Sequence, residues 1–303
     1  MIYRIIQKRK IFLTLSTLAL AAAVLALIFW GLNFGIDFTG GSSLEVQFTN
    51  YQPTIAEIQD SLKSADLHNL VIQPTSNSYI LKFKEDSETA HQAAVGDLAA
   101  LAAAHDGASF KELQFDSVGP SIGQELKSKS FNATVIVFIM IIVYISLAFR
   151  KVSKPVASWK YGLAAIIALV HDLLFILGVF ALLGHVFKVE INTPFIAAVL
   201  TVLGYSVSDT IIVFDRIREN LPKSQEDFEN TVNRSLNQTL TRSINTSFSA
   251  ILALLAILFF GGSTIKDFAL ALAVGIFIGT YSSIFIASPV LVIWDKLAHR
   301  AKA

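Results

Sequence analysis

The sequence predicts a polytopic α-helical membrane protein, a six-helix transmembrane bundle with one extracytoplasmic, ferredoxin-like α+β domain between helices 1 and 2. Three observations carry this prediction. Of the 303 residues, 53% are hydrophobic and only 16% charged, against roughly 25% charge in an ordinary soluble domain. Six segments are mostly apolar over the ~20 residues needed to cross a hydrocarbon core about 30 Å thick. One stretch, between the first two of these, is polar enough to fold in water. The same composition excludes other classes. A net charge of +1 gives no field to hold nucleic acid. Having no cysteine, the chain has no disulfide framework, thiolate metal site or cysteine nucleophile.

The predicted spans are 11–32, 131–149, 161–183, 194–214, 244–260 and 268–293. The first follows Arg4, Lys8, Arg9 and Lys10 and ends in Phe29 and Trp30 without a small-residue cleavage site. It is also longer than the roughly 7–15 apolar residues of a signal peptide, so it reads as an uncleaved anchor with Trp30 at the outer interface. Basic residues fix the expected orientation. Arg150, Lys151, Lys154 and Lys160 lie between the second and third spans, and Arg216, Arg218, Lys223, Arg234 and Arg242 between the fourth and fifth. Lys296, Arg300 and Lys302 follow the sixth. The two short loops on the other side carry only Lys188 and Lys266. Positive residues stay inside, which places both termini in the cytoplasm and residues 39–128 outside.

The division expected is 1–38 (tail and first helix), 39–128 (α+β domain) and 129–303 (five further helices with their loops). Within the domain, 43–48 alternates like a strand, and 54–65 has helical apolar spacing behind Thr54 as N-cap. Segments 70–73 and 79–84 read as short strands around a Pro74-Thr75-Ser76-Asn77 turn. An alanine-rich helix follows over 87–104, opened by Ser87 and Glu88, and 110–118 is a last strand. The order β-α-β-β-α-β is that of the split βαβ motif. His68, His91 and His105 lack metal-ligand spacing and read as surface histidines. No metal and no cofactor is expected.

Polar residues inside the spans are the candidate site, because a carboxylate at mid-bilayer costs about 2.5–3.5 kcal/mol on insertion scales. The fourth span carries Gly204-Tyr205-Ser206-Val207-Ser208-Asp209-Thr210. Tyr205 and Ser206 lie four and three residues before Asp209, on one helical face, so Asp209 is expected among hydroxyl donors, either as a proton carrier or as a fixed hydrogen-bonded lock. The third span carries His171-Asp172; a step of about 100° is expected to turn the two toward different neighbours, as a second titrating site or a buried structural pair. Arg242 enters the fifth span ahead of Asn245, Thr246 and Ser249, a polar stripe suited to a water-accessible crevice, and either pairs with Asp209 or snorkels to the headgroups. Gly275, Gly279 and Ser283 form a small-residue packing row. Asp215, Arg216, Arg218 and Glu219 read as an interfacial charged turn, and 224–241 as an amphipathic helix on the inner surface.

Several strings occur together: Gly35-Ile36-Asp37-Phe38-Thr39-Gly40-Gly41 after the first span, Val118-Gly119-Pro120-Ser121-Ile122-Gly123 before the second, and the Asp209 segment running into Phe214-Asp215-Arg216-Ile217-Arg218-Glu219-Asn220. In this order, over essentially the whole length, the chain resembles the SecD/SecF family of protein-export membrane proteins, on its SecF side, within the resistance-nodulation-division superfamily. The resemblance implies a non-enzymatic subunit of a bacterial inner-membrane complex. It would pair with SecD, act with the SecYEG translocon and a possible YajC partner, and use the proton-motive force to help export unfolded polypeptides. Protons, the translocating chain and membrane lipid are then its ligands. The family's intramembrane aspartate maps onto Asp209 and its fifth-span arginine onto Arg242, with His171 and Asp172 also family-like. Tyr205, Ser206, Asn245 and Thr246 would form the supporting polar shell. Asp37, Gly40, Gly41, Gly119 and Pro120 mark a candidate hinge or tight joint. Two alternatives stand beside this reading: a non-transporting scaffold that stabilises Sec partner subunits, and half of a small-molecule or lipid exporter. An intramembrane hydrolase finds no nucleophile–base pair or HExxH helix here.

Overall fold

A computed structural model describes residues 3–75, 77–148 and 157–300. Ser76, Phe149, Arg150, Lys151, Lys154 and Lys302, named above, lie outside the described residues. In chain order the elements are α1 (Arg9–Trp30), α2 (Ile36–Thr39), β1 (Gly41–Thr49), α3 (Ile55–Ser61), β2 (Val71–Pro74), β3 (Tyr79–Phe83), α4 (Glu88–Ala103) and β4 (Ser109–Val118). There follow α5 (Pro120–Ala148), α6 (Ser158–Phe187), α7 (Thr193–Asn220), α8 (Phe228–Phe260), α9 (Ser263–Ser282), a π-helical turn (Ser283–Ala287) and α10 (Ser288–Arg300). The chain divides into two compact units, Phe34–Phe131 and the remainder.

The smaller unit is built as its sequence pattern directs. Its four strands form one antiparallel sheet in the order β2-β3-β1-β4, the ferredoxin-like arrangement expected for β-α-β-β-α-β. Leu44, Val46 and Phe48 alternate onto the helix-facing side of β1 and meet Ile58, Leu62, Leu81, Phe83, Ala94 and Leu98 in the core. Thr54 caps α3 in a reciprocal box. The Glu57 backbone N–H donates to the Thr54 hydroxyl at 3.3 Å, and the Thr54 N–H donates to the Glu57 carboxylate at 2.7 Å. Ser87 caps α4 in the expected way. The histidines are tied to separate neighbours: His68 to Glu85 at 2.7 Å, His91 to Glu112 at 3.1 Å, and His105 stacked on Tyr51.

Among the described residues six helices are long and apolar enough to cross a membrane. Missing side chains set their closest crossings. A Cβ on Gly178 of α6 would stand 2.4 Å from the Ala23 side chain of α1, and one on Gly275 of α9 would stand 2.2 Å from Val202 of α7. Gly279, one turn on, lies against Ser206, so the small-residue row does pack helices closely. At one end α8 clasps the segment before α1. Asn233 Oδ1 accepts from the backbone N–H groups of Ile5 (2.9 Å) and Ile6 (3.1 Å), and Asn237 Oδ1 accepts from that of Tyr3 at 2.7 Å. Glu229 joins the clasp by binding both Arg9 and Lys296.

Two expectations are corrected. The predicted surface helix over 224–241 is not separate, because α8 runs unbroken from Phe228 to Phe260. Nothing between Thr241 and Ile244 can break a helix, and Val232 and Leu236 are fully buried in the bundle. The charged turn is likewise the last turns of α7, in which Arg216–Glu219 (3.0 Å) and Arg218–Asp215 pair at helical spacing.

Two tests follow from the smaller unit. Leu44→Ala, at a fully buried position, is expected to cost about 3 kcal/mol, read from the denaturation midpoint of the detergent-solubilised chain. The Glu57 carboxyl is held below its usual value, first by the Thr54 backbone N–H and then by the Thr54 hydroxyl. A lowered folded-state value means that this contribution is complete at neutral pH and is lost as the pH falls through that value. Glu57→Gln is therefore expected to flatten this part of an acid-unfolding profile.

Candidate functional site

The polar groups of the bundle form two clusters that both meet α7, one around Asp172 and one around Asp209. The first centres on Asp172, which is 0% exposed. A buried carboxylate needs donors, and three elements supply them. Ser206 Oγ of α7 donates to Oδ2 at 2.6 Å, Ser282 Oγ at the end of α9 donates to the same oxygen at 2.7 Å, and His171 Nδ1 lies 3.2 Å from Oδ1. The expectation that adjacent His171 and Asp172 would not meet is thus corrected. The helical step does separate their Cβ directions, yet the imidazole reaches back across it while the far carboxylate oxygen still finds the two neighbouring helices. His171 Nε2 is buried with no hydrogen-bond partner among the described residues.

The second cluster centres on Asp209, 7% exposed. Its Oδ1 accepts from Ser243 Oγ of α8 at 2.6 Å, while Oδ2 is buried without a hydrogen-bond partner among the described residues. Around it, the Tyr205 hydroxyl lies 3.0 Å from Ser247 Oγ, Ser247 meets Thr280, and Thr210 Oγ1 lies 2.9 Å from Ser283 Oγ. The expected shell is therefore redistributed. Ser206 serves Asp172 and Tyr205 serves Ser247, although both share the Asp209 side of the helix.

Arg242 is exposed, and the structure places no ion pair between it and Asp209 among the described residues. Asn245, Thr246 and Ser249 are exposed too, and Thr246 and Ser249 bond back to their own helix carbonyls at Arg242 and Asn245, each at 2.8 Å. The stripe faces outward from the bundle. One residue along α8, about 100° around the axis, Ser243 and Ser247 form the face that meets α7. Sequence reading missed Ser243, Ser247, Thr280 and Ser282 as site residues. The available signal was the run of serines and threonines through two apolar helices, in place of the charge that drew attention to Arg242.

The signature residues of the smaller unit gather at one joint. Gly40 and Gly41 have φ of +75° and +124°, values that favour glycine. A Cβ on Gly40 would come 2.8 Å from the Pro120 backbone, and one on Gly41 2.6 Å from the Phe83 carbonyl oxygen. Gly41 pairs with Val118 at the start of β1, just ahead of Gly119 and Pro120. Asp37 lies in α2, immediately before the joint. The geometry is that of a close-packed joint.

Residues 98–297 match the family model described as protein export membrane protein SecD/SecF, C-terminal, and residues 26–50 match the SecD/SecF GG motif. The chain belongs to the SecD/SecF protein-export family. A protein translocase subunit SecF from Thermobaculum terrenum is 43% identical, the alignment covering 96% of this chain and 94% of that one. The SecF subunit of Anaerolinea thermophila is 38% identical, over 96% of this chain and 94% of that one. A crystal structure of SecDF from Thermus thermophilus, described as a translocon-associated membrane protein, superposes with a TM-score of 0.82 at 34% identity. The superposition covers 98% of this chain and 39% of that longer one. As in this SecD/SecF family, the chain is a multi-pass membrane protein. The GG motif falls on Gly40 and Gly41, whose backbone angles and crowding account for the residue type.

The two clusters differ in how firmly they are tied. Asp172→Ala would leave the Ser206 and Ser282 hydroxyls and His171 Nδ1 buried without their acceptor. It is expected to cost about 3 kcal/mol or more, measured as the unfolding midpoint in mixed micelles. Asp172→Asn, which keeps an acceptor oxygen, is expected to cost less.

Proposed function

We propose that this chain works with a SecD partner as a proton-driven accessory of SecYEG-dependent export of unfolded polypeptides, and that Asp209 takes up and releases the proton. The observation that carries this reading is the unequal satisfaction of the two buried acids. A structural lock uses both carboxylate oxygens, as Asp172 does with donors from three positions. Asp209 has one hydroxyl donor at hydrogen-bond distance, Ser243, with the Ser283 hydroxyl beside it, and a second oxygen that accepts nothing among the described residues. Such a group is suited to both charge states: ionised when a cation or water reaches Oδ2, and neutral when it stays dry.

Arg242 is the cation within reach of this change, one residue before Ser243 on α8. The outward position of Arg242, Asn245 and Thr246 supports a partner bundle on that side, since polar side chains in a span are disfavoured against lipid. Much of α5 is likewise uncovered, with Ile136, Ile139, Met140 and Tyr144 exposed. In this reading both termini are cytoplasmic and residues 39–128 lie outside, supported by the placement of the basic residues. One proton crossing 100 mV supplies about 2.3 kcal/mol, enough for more than a tenfold bias between two arrangements of the bundle, at about 1.4 kcal/mol per factor of ten.

The test is export of a secreted polypeptide by membrane vesicles under an imposed proton gradient. Asp209→Asn is expected to lower gradient-dependent export to the level of vesicles lacking the chain, with the amount of SecD partner unchanged. Full export in the variant would overturn the proposal, and lost export together with lost partner would favour a scaffold.

A further inference from the structure

The sixth span does not run as a regular α-helix. Between α9 and α10 it takes a π-helical turn over Ser283–Ala287, and Ser288 Oγ donates to the Ser283 carbonyl five residues back at 3.1 Å. Insertions of this kind are rare and frequent at functional sites. Here the turn begins between two serines that serve different acids. Ser282 Oγ donates to Asp172 Oδ2 at 2.7 Å. Ser283 Oγ lies 2.9 Å from the hydroxyl of Thr210, the neighbour of Asp209, and close enough to the Asp209 carboxyl to interact with it. Both serine hydroxyls also reach the Gly279 carbonyl, at 3.1 and 2.9 Å. On the facing helix, Ser206 bonds Asp172 while Asp209 and Thr210 lie three and four residues further on, one turn along the same helix.

From this geometry we infer that Asp172 and Asp209 form one coupled proton-binding unit, with Ser282 and Ser283 of the π turn as the positioning residues that join them. The inference rests on the reading of Asp209 as a titrating group and extends it to a second acid. The physical reason is a shortage of donors. An ionised carboxylate accepts only, and the Asp209 oxygen that lacks a donor is served most directly by the Ser283 hydroxyl. Turning the Ser283 proton toward it withdraws that proton from the Gly279 carbonyl, which Ser282 shares. It also strains the turn that aims Ser282 at Asp172, so a charge change at one acid alters the donor set of the other. The charged and titratable groups beside the pair are His171 on Asp172's own helix and Tyr205 on Asp209's own helix; Arg242 of α8 faces outward yet is near enough for its charge to act on Asp209, and α9 and the π turn present hydroxyls. Coupling of this kind is reciprocal, and the two protons then bind with midpoints that belong to the pair.

The test uses the full chain, copurified with its partner and reconstituted in lipid vesicles. Carboxyl bands are followed by infrared difference spectroscopy across pH, and assigned by their loss in Asp209→Asn and Asp172→Asn. Asp172→Asn, Ser282→Ala and Ser283→Ala are each expected to move the Asp209 midpoint by about one pH unit, a tenfold change in proton affinity. Ser282→Thr and Ser283→Thr, which keep the hydroxyl, are expected to restore it, a readout that a merely structural role would not produce. Thr201→Ala, on the exposed side of α7 with its hydroxyl bonded to Ala197 of the same helix, is expected to leave it in place. An Asp209 band that titrates with one midpoint in all these proteins overturns the coupling and leaves the proton reading standing. An Asp209 band that titrates in none of them overturns both.

Discussion

A carboxyl group inside an apolar helix bundle cannot be solvated by its surroundings, so it dictates what stands beside it. Asp172 shows the constraint at full strength. Its three donors come from its own helix, from α7 and from the end of α9, and they hold those helices in mutual register. Glycines at the crossings let the backbones come close enough for short serine side chains to make these bonds. With a Cβ on Gly279, α9 would crowd Ser206, and Ser206 and Ser282 would no longer converge on one oxygen. Packing and polarity are therefore one requirement here: small residues bring the helices together, and the buried acid uses the proximity.

Asp209 stands under the same constraint but is left one donor short. The difference between the two acids is one of supply, since hydroxyls surround both. Around Asp209 they are spent on one another: Tyr205 and Thr280 on Ser247, and Thr210 on Ser283. The result is a group held in place by a single hydrogen bond from α8 among the described residues. The same face of α8 turns Arg242 outward by one residue's rotation, which keeps the cation near the acid without fixing it there.

The architecture was legible in the sequence because it rests on long-range periodicity. Six apolar stretches, the strand alternation of Leu44, Val46 and Phe48, and the caps Thr54 and Ser87 are strong, additive signals. The glycine joint was legible as a motif, and its reason came with the structure, in the backbone angles of Gly40 and Gly41. The wiring of the site was only half legible. Asp172, Asp209 and His171 stand out because charge is rare in a span. The serines do not, because a hydroxyl is cheap enough in a helix to bond back to its own backbone, as Thr246 and Ser249 do. Which serine faces an acid depends on helix rotation, and a single residue's offset separates Ser243 from Arg242. The π turn did carry a mark in the sequence: Pro289, two residues past it, has no N–H to give the Phe285 carbonyl within the turn.

The clasp at the foot of α8 has a mechanical consequence. Asn233 and Asn237 grip backbone amides of residues 3–6, and Glu229 grips a side chain on α1 and another on α10. The fifth span is thus stitched to the beginning of the first, and a tilt of α8 would have to carry residues 3–6 with it or break these bonds. Because the stitches hold main-chain amides, they fasten the foot of one rod to the other whatever side chains the gripped residues carry.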